Sequence, residues 1–181
     1  MSTGGVTVLS LRSLAAEVGT STSAVYALFG GRPELVQALY LRAFSGFGDS
    51  QRAVSATADP LADLLALGRA YREWALAHRH LYAIMFGGAL AGVEPDETAV
   101  GPSRAAMEPL LTAVRRGLDA GLLEHGSVES IALAIWSSVH GAVSLELTAG
   151  LLDLPQDELD VQYNAVLASI VRGWRSAAAP C

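Results

Sequence analysis

Residues 10–39 read SLRSLAAEVGTSTSAVYALFGGRPELVQAL, and the rest of the chain is interpreted outward from them. Leu11, Leu14, Ala15 and Val18 recur at i, i+3, i+4 and i+7, one apolar face of a helix. Gly19 breaks the pattern, as a residue that readily takes positive φ after a helix does. Ser21 is a good N-cap, and a second short helix fits 22–29, burying Val25 and Phe29. Gly30 and Gly31 end it, and Pro33 suits the first turn of a third helix. Two short helices joined by a tight glycine turn make a helix-turn-helix. Thr22, Ser23, Tyr26 and Ala27 form the outer face of the second helix, with 22/26 and 23/27 one turn apart. Hydroxyls donate to phosphates and base edges, and an alanine methyl suits a thymine methyl. The same residues also suit ordinary solvated positions on a capped helix.

The spaced pattern Ser10, Leu14-Ala15, Gly19, Ser21, Val25-Tyr26, Phe29, Arg32, Glu34-Leu35 closely resembles the DNA-binding signature of TetR-type transcriptional regulators. The resemblance implies roles. Ser10 caps the first helix of the motif beside a phosphate, and Arg12 contacts the DNA backbone nearby. Thr22, Ser23 and Ala27 face the major groove, Ser21 is counted with them in the DNA-binding set, and Tyr26 hydrogen-bonds a phosphate. Arg32 stands where the family usually has Lys; a cation beside free N–H groups at a helix N-terminus makes a phosphate site. Leu28 replaces the family's usual His, which removes one backbone contact. The family also carries an amphipathic helix before the motif, whereas MSTGGVTVL (1–9) has two glycines and no helical period. The expectation is that this first helix is missing, through a misplaced start or truncation.

With 181 residues, 51% of them apolar, the chain can bury a real core in one or two domains and is not disordered. Alanine and leucine dominate, so helix is the default. A net charge of −6 excludes a general nucleic-acid coat. Residues 1–52 carry four Arg against three acids, the remainder eight Arg against fifteen. A near-neutral end on an acidic body keeps DNA at that end by repulsion, though simple solubility explains the balance equally well. The lone Cys181 cannot form an internal disulfide. No basic segment precedes an apolar core at the N-terminus, and the longest mostly apolar run, 81–93, is too short to span a bilayer. A soluble cytoplasmic protein with no membrane partner is expected.

The four histidines are His78, His80, His125 and His140; His78-x-His80 lies near no carboxylate pair at ligand spacing, and no Cys is available for zinc. There is no G-x-S-x-G elbow and no glycine-rich phosphate loop. The sequence therefore predicts neither an enzyme nor a bound metal or cofactor.

The remaining chain reads as helices. One runs from about 33 to 47 with Leu35, Leu39 and Ala43 buried, followed by a connector over 50–59. Asp59-Pro60 caps the next, which runs to about 78, and a short helix follows before Gly87-Gly88. Residues 88–102 read as loop and 103–120 as helix; Ser127 caps a helix to about 148, and Pro155 opens the last. The expected fold is all-α, with a helix-turn-helix DNA-binding domain over 1–48 and a helical regulatory and dimerisation domain over 49–181.

Residues 71–86 (YREWALAHRHLYAIMF), with Trp136, His140 and Gly141, resemble the C-terminal regulatory domain of a TetR subgroup marked by Trp, His and Gly. That resemblance implies a helical dimer with an inducer pocket in each subunit. Trp136 and His140 lie one turn apart on one face. Tyr71, Trp74, Tyr82, Met85, Phe86 and Met107 are the further candidate walls, since aromatics and Met with one polar group suit a small-molecule cavity. The alternative is that all eight are packed core and His140 makes one internal hydrogen bond. Ser137, Ser138, Gly141 and Ala142 allow close helix approach and predict a two-fold four-helix homodimer interface, hence a pseudo-palindromic site in double-stranded DNA. The expected function is a ligand-responsive transcriptional regulator, a repressor released from its operator by a small hydrophobic effector. The rival is a helical ligand-binding dimer that has lost DNA binding by N-terminal truncation.

Overall fold

The computed structural model describes residues 19–86, 97–124, 126–148 and 154–177, together with Arg12, Ala15 and Ala16; for 97–100 it describes the backbone alone. Ser10 and His125 lie outside the described residues. The architecture is all-α. Seven helices run in order among the described residues: α1 (Thr22–Phe29), α2 (Arg32–Arg52), α3 (Pro60–Ala77), α4 (Arg79–Phe86), α5 (Glu97–Asp119), α6 (Val128–Leu147) and α7 (Gln156–Trp174). Arg12, Ala15 and Ala16 are helical as well. Contacts gather into two units, Met1–Gly46 with His78–Arg104 and Phe47–Ala77 with Ala105–Cys181.

In the first unit, the glycine turn forms as its sequence dictates. Gly19 has φ 67°. Its N–H donates to the Ala16 carbonyl at 3.2 Å, and Thr20 N–H donates to that of Ala15 at 2.8 Å. This nested pair satisfies the last carbonyls of a helix, and the left-handed residue it needs is glycine. Ser21 is extended, and its Oγ accepts from Ala24 N–H at 3.1 Å, capping α1. Ala15, Val25 and Leu35 are buried together, with Leu39 packed against them. Phe29, expected in this core, is 39% exposed and no member of that cluster. Phe44 packs on Tyr40 and Phe86, and Phe86 on Tyr82.

The helix starting at Arg32 runs past Gly46 and Gly48, where its end was expected, to Arg52. Gly48 is buried: a Cβ there would lie 3.5 Å from the Ala106 backbone. The glycine sits within the packed helix and does not end it. The Arg52–Asp49 pair at 2.7 Å supports the added turn, as oppositely charged residues three apart do.

In the second unit, α3 packs on both α6 and α7, which pack on each other. Val114, Ile131 and Val143 are the largest fully buried side chains. Gly68 lets α7 approach: a Cβ there would meet Leu167 Cδ2 at 2.5 Å, and the Tyr163 hydroxyl donates to the Gly68 carbonyl at 2.6 Å. Asp59 caps α3 as expected, accepting from Leu61 and Ala62 N–H at 2.9 and 3.2 Å. Ser127 caps α6 through Ser130 N–H at 3.1 Å. The helix α5 begins at Glu97, within the stretch read as loop. Pro102 forfeits one backbone bond, to the carbonyl of residue 98, without ending the helix. Among the described residues, an antiparallel bridge pairs Leu123 with Arg175, tying the end of α7 to the α5–α6 turn.

Among the described helices, α6 is long and apolar enough to cross a membrane. Ser137, Ser138 and His140 interrupt its apolar run in the sequence.

Candidate functional site

The helix α1 carries no charged residue: Val25 points inward, while Ser23, Tyr26 and Ala27 are exposed and Thr22 is half-buried. Tyr26 keeps 53% of its surface open. A capped, eight-residue helix thus presents hydroxyls and a methyl on one side, chemistry that meets phosphate and base edges. Arg12 is exposed on the preceding helical segment. Arg32 opens α2; its Nε is buried with no hydrogen-bond partner.

The aromatic candidates separate. Tyr82, Met85 and Phe86 belong to the first unit; Tyr71, Trp74, Met107, Trp136 and His140 belong to the second. In the second, the Tyr71 hydroxyl and His140 Nδ1 share a hydrogen bond at 3.0 Å, and Ser144 Oγ lies 3.4 Å from Nε2. Burial holds the His140 ring below its ordinary pKa, hence neutral. Phe47 packs edge-on against Tyr71 and Trp74, and the Trp136 ring lies 6.0 Å from that of His140. Tyr71 and Trp136 line a void of about 30 Å³, together with Gln51 and Leu67.

A larger cavity, about 290 Å³, lies elsewhere in the same unit. Gln51, Val54, Leu67, Pro109 and Ala113 supply its apolar and amide wall, and Asp63 and Arg116 a charged one. Asp63 is 4% exposed. Its carboxylate accepts from Thr57 N–H at 3.0 Å, from Thr57 Oγ1 at 2.7 Å and from Arg116 Nη1 at 2.6 Å. Arg116 Nη2 also donates to the Thr57 carbonyl. Burial alone would push the Asp63 carboxyl up; the hydrogen bonds from Thr57 and Arg116 outweigh it and hold the carboxyl below its ordinary range. The network ties the α2–α3 connector to α3 and α5.

A second network joins the three packed helices. Arg72 donates through Nε to Glu146 at 2.7 Å and through Nη2 to Asp160 at 2.6 Å, and lies over the Tyr163 ring. The Glu146 hydrogen bond chiefly, with that of Asp160, raises the Arg72 pKa against the effect of burial.

Sequence reasoning passed over Gln51, which fell in the presumed connector, and over Asp63 and Arg116. One signal was available for Asp63: it shares the 63/67/71 stripe with Leu67 and Tyr71, and a carboxylate on a buried face needs a partner.

Comparison with known proteins agrees with this architecture. A family model, tetracyclin repressor-like C-terminal domain, matches residues 64–170. An HTH-type transcriptional regulator of Mycobacterium tuberculosis is 29% identical, over 91% of this chain and 84% of its own length. A solved protein of unknown function from Rhodococcus sp. RHA1 is 30% identical, with 95% of this chain and 88% of that one covered and a TM-score of 0.76. The TetR family regulator PfmR of Thermus thermophilus is 20% identical, covers 91% of this chain and 88% of its own, and has a TM-score of 0.75, a likeness of fold.

Proposed function

The chain belongs to the TetR family of transcriptional regulators, and from that membership we propose that it is a cytoplasmic, ligand-responsive repressor whose homodimer binds a pseudo-palindromic operator. Ser10, Arg12, Ser21, Thr22, Ser23, Tyr26, Ala27 and Arg32 form the DNA-contacting set, within a domain spanning about residues 1–48. The regulatory and dimerisation domain spans 49–181. A small hydrophobic effector binds in that domain and favours a conformation in which the two recognition helices no longer match successive major grooves. Coupling is the ratio of effector affinities in the two conformations, and DNA weakens the effector by the same factor.

The observation that carries the reading is the outer face of α1: a cap-fixed helix with Ser23, Tyr26 and Ala27 exposed and no charge of its own. Dimerisation draws support from α6, where Leu133, Ser137, Gly141 and Leu145 fall on one stripe. Leu133 and Leu145 are 57% and 56% exposed, and a Cβ at Gly141 would meet nothing within 4 Å. A second copy is the natural cover for so apolar a helix face.

The test is fluorescence anisotropy of this chain against DNA flanking its own gene at two salt concentrations. Saturable binding to one fragment, weakened by salt and poorly competed by random DNA, is expected. No preference over random DNA would leave the helical ligand-binding dimer in its place.

A further inference from the structure

We propose that the cavity between Gln51 and Pro109 is the effector site, and that its ligand is a neutral, largely apolar molecule bearing a hydrogen-bond-accepting carbonyl. This rests on the regulatory reading above and names the place and chemistry of the effector.

Three observations converge. The cavity, about 290 Å³, sits at the lower end of the roughly 300–1,000 Å³ usual for small-molecule sites, and most of its wall is apolar. Gln51, only 5% exposed, lines it and carries a buried Nε2 with no hydrogen-bond partner. A buried amide donor with no partner within the protein is matched by an acceptor brought in from outside. Both lining cations are already matched, Arg116 with Asp63 and Arg52 with Asp49, and the lining carboxylate of Glu108 disfavours a further anion. No cation is left over for a carboxylate or phosphate, and the Gln51 N–H has nothing to accept from an ammonium, so the ligand is a neutral acceptor.

Gln51 also explains how occupancy is felt. It stands in the last turn of α2, a helix unbroken from Arg32. Gln51 and Leu67 each line both this cavity and the smaller void bounded by Tyr71 and Trp136. An amide drawn toward a ligand carbonyl therefore pulls on the final turn of the helix whose first residue is Arg32, and leaves the partition between the two spaces altered.

The experiment titrates the full chain, without DNA, with benzophenone and with diphenylmethane, the same two rings joined by CH2 instead of C=O. Binding is read by ligand-observed NMR. Benzophenone is then irradiated so that it labels its site, and the labelled peptides are identified by mass spectrometry. Benzophenone should bind about tenfold more tightly, the worth of one hydrogen bond to a buried donor. Label should fall on residues 51–67 and 105–116. The near-isosteric Gln51→Met should reduce benzophenone to the level of diphenylmethane while keeping or raising the thermal midpoint, since an unpaired amide is removed. Ala105→Trp, at an exposed lining position, should exclude both compounds. The proposal is overturned by equal affinities, by absence of saturable binding, by discrimination that survives Gln51→Met, or by label confined to other segments. Should Gln51→Met fail to fold, Ala105→Trp and the label positions decide. Because no DNA is present, these outcomes stand apart from operator binding: a chain that passes here but ignores DNA keeps the cavity and loses the repressor.

Discussion

Asp63 sits in the helical stripe that also carries Leu67 and Tyr71, yet it is buried. It is tolerated there because Thr57 and Arg116 supply every contact a carboxylate needs. Removing its charge leaves Arg116 and the connector without their anchor. Asp63→Asn should lower the unfolding free energy by about 3 kcal/mol, measured by urea titration. The sign with pH follows from the depressed carboxyl: its stabilisation is present above the ordinary carboxylate range and disappears as pH falls through the lowered folded value. The acid limb of stability should be flatter in Asp63→Asn. His140 acts in a different window. Its ring is kept neutral by burial, so the unfolded chain takes up a proton more readily. Stability is then full above the ordinary value of 6.5 and declines as pH drops below it. Unfolding titrations at pH 7.5 and 5.5 should show this decline, and His140→Gln should reduce it; an identical decline in the variant would assign it to other groups.

Two elements carry the proposed interfaces, and each is open to a single substitution. On α1, the Tyr26 hydroxyl is the part aimed at phosphate. Tyr26→Phe should weaken binding by about 1 kcal/mol for specific and random DNA alike, because phosphate contacts carry no sequence information. A loss confined to the specific site would place Tyr26 against a base instead. On α6, a charge at the centre of the exposed stripe should be tolerated in the single chain but not against a second copy. Leu133→Glu should convert the dimer to monomer in sedimentation at micromolar concentration, with helix content unchanged by circular dichroism. A dimer that persists would move the interface elsewhere. Local signals read these elements well. Caps at Ser21, Asp59 and Ser127 stand where their side-chain oxygens and the following apolar residues put them. The extensions of α2 and α5 were not legible, because the glycines in one and the proline in the other are stop signals only when nothing packs against the helix. Gly48 lies against the Ala106 backbone, and that contact is not written in its neighbourhood in sequence.

For the molecule as a whole, the charge balance sets how DNA binding responds to salt. The remainder of the chain is net acidic and repels DNA, so the slope of log affinity against log salt should come chiefly from the few cations near the helix-turn-helix. Arg12→Ala should flatten that slope by about one per subunit while leaving preference for the operator over random DNA largely intact. An unchanged slope would remove Arg12 from the phosphate contacts.

The sequence by itself determined the helix-turn-helix, the all-α class and most helix starts, since periodicity, caps and left-handed glycines act over a few residues. Its fixed spacing also carried the resemblance to the TetR family. Only the tertiary structure decided which buried polar groups meet. Asp63 and Arg116 are 53 residues apart, and Gln51 faces a wall built from α3 and α5. Whether an amide is paired, or a void is filled, depends on packing between distant segments, and no local pattern encodes that. For the same reason the eight aromatic, Met and His candidates divided between two units: composition names the residues that suit a pocket, but only the fold chooses which of them share one.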